Sequence, residues 1–121
     1  MTLLAIALGG ALGSVARYLL STAVLRATGT LFPLGTFIVN FVGCVVFGLI
    51  AGAAEQRVPL APEMRRFLLV GILGGFTTFS SYAFESFALL RDGQIAWAAI
   101  NVGGQVVAGL VGMWGGYVIA N

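Results

Sequence analysis

The chain has no histidine, no lysine, four acidic residues and one cysteine, Cys44. Each shortage excludes something. Without histidine there is no imidazole acid–base chemistry and no histidine metal site. A single cysteine forms neither an intrachain disulfide nor a cysteine metal cluster. Cys44 lies inside an apolar run, where a lone cysteine reads as a small packing residue. The net charge of +2 comes entirely from scattered arginines, too little for a nucleic-acid surface. No catalytic dyad is apparent, so the chain does not read as an enzyme, and the absence of an ATP-binding motif argues against nucleotide-driven pumping. Charged residues make up only 8% of the 121 residues, against roughly 25% in an ordinary soluble domain. A surface in water could not be covered with so few, and the solvent for most of this chain must be lipid.

What the sequence does have is apolar length, 60% of it hydrophobic. Four runs cover residues 3–25, 31–54, 67–90 and 95–120. Each exceeds the roughly 20 residues that a helix needs to cross the hydrocarbon core. The breaks between them are short and polar: Arg26-Ala27-Thr28-Gly29-Thr30, then Glu55 to Arg66 with Pro59 and Pro62, then Arg91-Asp92-Gly93-Gln94. Glycine, proline and charge are the residues that end helices. The first run lacks a basic leader and is too long for a signal peptide's apolar core, so it reads as a span. The expectation is an all-α membrane protein: one domain over residues 1–121, with four transmembrane helices and no soluble part.

Glycine is abundant at 18 residues and recurs at helical spacing. Gly9 and Gly13, Gly48 and Gly52, and Gly71 and Gly75 are each four apart, and Gly104, Ala108, Gly112 and Gly116 form a stripe in the last run. In lipid, helices associate through close backbone packing, which small residues permit. A tight bundle accounts for most of these positions.

Charge is almost balanced across the membrane. Four spans put both termini and the second loop on one side, with Arg57, Arg65 and Arg66. The other side has Arg26 and Arg91, with Arg17 nearest to it inside the first run. An arginine excess on one side normally sets orientation, and here there is almost none. Either another factor sets one orientation, or copies insert both ways up and pair antiparallel.

Polar residues inside spans are costly and usually functional. Arg17 either serves an ion path or snorkels to the nearer interface. Thr36 and Asn40 lie one turn apart on one helix face, as do Asn101 and Gln105. Their amides are either glue between helices or N–H donors suited to an anion. The third run is the densest: Gly74-Gly75-Phe76-Thr77-Thr78-Phe79-Ser80-Ser81-Tyr82-Ala83-Phe84-Glu85. Paired glycines followed by paired threonines make poor helix at mid-span and predict a break. Irregular backbone at that depth occurs only inside protein or against a cavity, where its freed carbonyls and N–H groups become ion ligands. Spacing also predicts a polar stripe of Thr77, Ser81 and Glu85 beside an aromatic stripe of Phe76, Phe79 and Tyr82. Ring edges are electropositive and can line an anion's route.

These motifs resemble the Fluc/CrcB family of bacterial fluoride channels. The likeness is carried by Gly9-Gly10-Ala11-Leu12-Gly13-Ser14-Val15-Ala16-Arg17-Tyr18, by Pro33-Leu34-Gly35-Thr36-Phe37-Ile38-Val39-Asn40-Phe41-Val42-Gly43, and most specifically by Gly74 to Glu85. It implies an antiparallel, dual-topology homodimer in the inner membrane with two pores for passive fluoride export. It implies a structural Na⁺ on the two-fold axis, held by the backbone carbonyls of Gly74 and Thr77. The resemblance assigns pore roles to Asn40, Phe79, Ser80, Ser81 and Tyr82, with Glu85 at the pore end, Arg17 in the anion pathway and Asn101 facing the pore. Two positions depart from the family pattern: Tyr82 stands where phenylalanine is usual, and Gln105 where a smaller hydroxyl residue is expected. A small multidrug transporter, also a four-helix dual-topology dimer, would need a carboxylate in the first helix. That helix holds Arg17 and no Asp or Glu.

Overall fold

The computed structural model describes residues 1–121 and is entirely helical. Four segments are long and apolar enough to cross a membrane: Thr2–Thr28, Leu34–Gln56, Pro62–Arg91 and Ile95–Ala120. In hydrocarbon every backbone N–H and C=O must be satisfied within the protein, and a helix does this segment by segment.

The ends follow local chemistry. The first helix runs three residues past the expected Leu25 and stops at Gly29, in the left-handed region at φ 59°, whose N–H bonds the Leu25 carbonyl at 2.8 Å. The second helix begins at Leu34 rather than residue 31, because Pro33 occupies the cap and leaves Leu31 and Phe32 in the loop. Pro62 opens the third span from its first turn, where its missing N–H costs nothing. Gly93, at φ 77°, turns the chain into the fourth helix.

The third span is not one regular helix. An α-turn at Pro62–Arg65 passes into a π-helix over Arg66–Leu73, then one more turn at Gly74–Phe76. Thr77 (φ −80°, ψ 156°) and Thr78 (φ −147°, ψ 116°) are extended, and an α-helix resumes at Phe79–Arg91. The glycine and threonine pairs predict the interruption; the π-helix before it was not anticipated. We call the two parts the leading half (residues 62–76) and the trailing half (Phe79–Arg91).

The second helix lies along the fourth, the first along the leading half and also against the second, and the trailing half against the fourth. Glycine makes these approaches possible. A β-carbon on Gly48 or Gly116 would collide with the carbonyl of Met113 or Val45 respectively. On the other side of the bundle, a β-carbon on Gly13 would strike the Ile72 carbonyl, and one on Gly75 would come within 2.7 Å of the Gly10 carbonyl. Cys44 is half-buried against Gly109, a packing role. Only 17 of 121 residues are buried, while leucines, valines and phenylalanines on every helix face outward. Such a surface is suited to lipid or to a second membrane-embedded chain.

Candidate functional site

The break at Thr77–Thr78 is held by the second helix. Asn40 Nδ2–H donates to the Thr78 carbonyl at 3.2 Å, and the Thr78 N–H donates to Asn40 Oδ1 at 2.9 Å. The side-chain amide thus gives the Thr78 N–H the acceptor that the Gly74 carbonyl would supply in an unbroken helix, and adds a donor to the Thr78 carbonyl. The Thr78 hydroxyl then caps the trailing half by accepting from the Ser81 N–H at 3.2 Å, a standard role for an N-cap threonine.

Both substitutions free a carbonyl. In a continuous helix the Thr78 N–H would bond the Gly74 carbonyl, and the Ser81 N–H the Thr77 carbonyl. Those donors are committed to Asn40 and to the Thr78 hydroxyl. Two hard oxygen donors of the kind that suits a hard cation therefore flank the break. The residues present fit the ion that the sequence resemblance implies.

Asn40 is also the end of an amide ladder. Its Nδ2–H donates to Gln105 Oε1 at 2.8 Å; Gln105 Nε2–H donates to Asn101 Oδ1 at 2.9 Å; Asn101 Nδ2–H donates to Ser86 Oγ at 2.9 Å. Ser86 Oγ–H closes the series on the Tyr82 carbonyl at 2.8 Å. The ladder crosses from the second helix through the fourth to the trailing half. Asn101 has 0% exposure. It lines neither of the two grooves described below and serves as an inner rung, where the resemblance implies a pore-facing side chain.

Two grooves meet at Thr78. The first, of about 560 Å³, is polar and includes Ser14, Arg17, Thr36, Ser81 and Glu85. Glu85 Oε1 accepts from the Thr36 hydroxyl at 2.8 Å, and its buried Oε2 has no hydrogen-bond partner within the chain. Arg17 is half-buried in this groove with no ion pair. The second groove, of about 390 Å³, is lined by Asn40, Gly74, Thr77, Phe79, Tyr82 and Gln105 among others. The rings of Phe79 and Tyr82 stand 5.6 Å apart, tilted at 55°. Phe79 is 78% exposed, and the Tyr82 hydroxyl donates to the Val102 carbonyl at 2.9 Å. Ser80 is exposed, its hydroxyl 3.5 Å from that of Thr78.

The expected stripes are corrected by this geometry. Phe76 is buried and packs near Gly43, apart from Phe79 and Tyr82. Thr77 lines the second groove and bonds the Leu73 carbonyl at 2.9 Å, while Ser81 and Glu85 line the first. Spacing counted through Thr77–Thr78 assumes a helical period that the two extended residues reset. Thr78, not Thr77, joins Ser81 and Glu85. Its signal was its place as the last threonine before the resumed helix, the position of an N-cap.

The sequence profile of the family described as "CrcB-like protein, Camphor Resistance (CrcB)" matches residues 4–117. The chain belongs to this family. A CrcB-family relative in Maridesulfovibrio salexigens, named "Fluoride-specific ion channel FluC", is 50% identical over 114 residues, covering 94% of this chain and 90% of its own. Proteins of the same name are similar in Geobacter sulfurreducens (47% identical, 98% and 96% covered) and Flavobacterium psychrophilum (40%, 98% and 96%). The identification made from the three sequence motifs is borne out. With its four spanning helices, this CrcB-family chain is a multi-pass membrane protein.

Proposed function

We propose that the chain is a fluoride-selective ion channel that gives passive export of fluoride across the inner membrane and so protects against its toxicity. Fluoride enters cells as neutral HF in acid surroundings and dissociates inside; an open anion path lets it leave down its electrochemical gradient. The observation that carries the reading is the Asn40–Thr78 clasp, which holds a helix break open between a polar and an aromatic groove in a chain with this family likeness.

In this reading each residue has a part. Arg17 concentrates anions at the polar groove. Hydroxyls of Ser80 and Ser81 replace water around the ion, and the edges of Phe79 and Tyr82 give a weakly positive lining that does not trap it. Conduction requires such moderate binding at several sites. Glu85 sets the far end of the polar route. Asn40 is already committed through both N–H groups, so a fluoride in the second groove competes with Gln105 Oε1 for one of them. Asn101 acts behind Gln105, holding it in place.

The working unit is an antiparallel homodimer. Near-equal arginine counts on the two sides support dual topology, and the outward Phe79 ring supports a second chain against the aromatic groove. A Na⁺ at the dimer centre, coordinated by the Gly74 and Thr77 carbonyls of both copies, would fix the two breaks relative to one another.

Efflux from liposomes containing the purified protein tests the reading. Voltage-sensitive fluoride release without chloride release is expected, and equal leak of both ions refutes it. Labelling of a tagged terminus from each face of the membrane tests topology; one uniform orientation contradicts the antiparallel dimer.

A further inference from the structure

A cleft lies between the second helix and the start of the third span, with a volume of about 420 Å³. It is lined by the apolar Phe47, Leu69 and Val70, by Pro62, and by Arg65 and Arg66. The conduction reading uses none of these residues. The arginines stand where the polar second loop gives way to the apolar run Phe67-Leu68-Leu69-Val70.

The guanidinium groups are available. Arg65 makes no ion pair and no side-chain hydrogen bond in this chain. Arg66 meets Glu63 through Nη1 alone, at 3.1 Å, with both side chains nearly half exposed, and the same Nη1 lies 3.5 Å from the Thr2 hydroxyl. An exposed pair of this kind is weak and exchanges readily. Arginine's planar fork matches the two non-bridging oxygens of a phosphodiester.

We propose that this cleft binds one anionic phospholipid, with its phosphodiester on Arg65 and Arg66 and an acyl chain along Phe47, Leu69 and Val70. The apolar wall favours a lipid over free phosphate, which would gain nothing from it. Charge complementarity favours an anionic headgroup over a zwitterionic one. The opposite end of the bundle supplies an internal contrast. The groove there is walled by Phe32, Phe84 and Trp97 but carries Glu85 and Asp92 and no arginine. That groove does not attract an anionic headgroup.

The test is native mass spectrometry of delipidated protein titrated with phosphatidylglycerol or phosphatidylcholine. Wild type should hold phosphatidylglycerol about twenty-fivefold more tightly, about fivefold for each arginine. The double variant Arg65→Gln/Arg66→Gln should lose that preference, while Arg91→Gln keeps it. Val70→Trp leaves both arginines and fills the cleft, so it should also lose the lipid; it decides the matter if the double variant fails to insert. Equal binding of the two lipids by wild type, or unchanged preference in the double variant or in Val70→Trp, overturns the proposal. So does displacement of phosphatidylglycerol by millimolar inorganic phosphate, which would make this a headgroup-only site. A preference found only in dissociated monomer would assign the cleft to a second copy of the chain.

Discussion

Gln105 and Asn101 look equivalent in the amide ladder, and replacing each in turn separates scaffold from pathway. Asn101→Leu removes the acceptor for Gln105 Nε2–H and the donor to Ser86 Oγ. Gln105 is almost fully buried, so a stranded N–H there costs about 1–3 kcal/mol. Asn40 keeps its bond to Gln105 Oε1. Gln105→Leu conserves volume and strands Asn101 Oδ1 in a site with 0% exposure, at a similar cost. It also releases one Asn40 N–H into the aromatic groove. A hydrogen bond to a charged partner is worth roughly 1.5–3 kcal/mol. With about 1.4 kcal/mol of that surviving dehydration of the ion, fluoride leaves the site about tenfold more slowly. Both variants should therefore unfold more easily in detergent, by similar margins. Only Gln105→Leu should slow fluoride efflux about tenfold when both are reconstituted at equal protein density. Wild-type efflux in Gln105→Leu, or an equal loss in Asn101→Leu, refutes the competition between Gln105 and fluoride for Asn40.

Other outcomes follow from the same geometry. Phe79→Ile keeps bulk but removes the ring, so efflux should fall sharply while size-exclusion chromatography shows the dimer intact; near-normal flux would reduce Phe79 to packing. Tyr82→Phe loses one exposed hydrogen bond to the Val102 carbonyl and keeps the ring edge, so flux should change less than twofold to threefold, on the order of 0.5 kcal/mol. Gly48→Leu meets the Met113 carbonyl and should destabilise by at least about 1–3 kcal/mol through overpacking. Gly103→Ala, with nothing near its added carbon, should raise the melting temperature in detergent slightly, because alanine is favoured over glycine inside a helix by about 1 kcal/mol.

The number of spans and the helix break were legible because each depends on neighbours in sequence. Apolar length alone defines a span, and Gly74-Gly75 with Thr77-Thr78 mark poor mid-membrane helix. The glycine pairs were legible as packing faces, though not which helix each one meets. Positions after the break were harder to place. Phe76 and Thr77 fall on the expected stripes only if helical counting continues through two extended residues. The ladder from Asn40 to Ser86 was beyond reach for another reason. Asn40, Ser86, Asn101 and Gln105 come from three spans, and spacing within a span shows which residues share a face, not what that face meets. The π-helix at Arg66–Leu73 has no composition signature in an apolar run.

The interruption at Thr77–Thr78 divides the third span between two sets of neighbours. The leading half is fitted to the first helix by glycines at Gly9, Gly13, Gly71 and Gly75. The trailing half is tied to the fourth by Tyr82–Val102 and Ser86–Asn101. Asn40 is the side chain that bonds the backbone between them. Such a chain can drift in two compartments: a bulkier residue in the first helix calls for a compensating change before Thr77, and a new rung in the ladder calls for one after Thr78. The joint itself has no such latitude, because shortening or lengthening the side chain at position 40 moves both compartments at once.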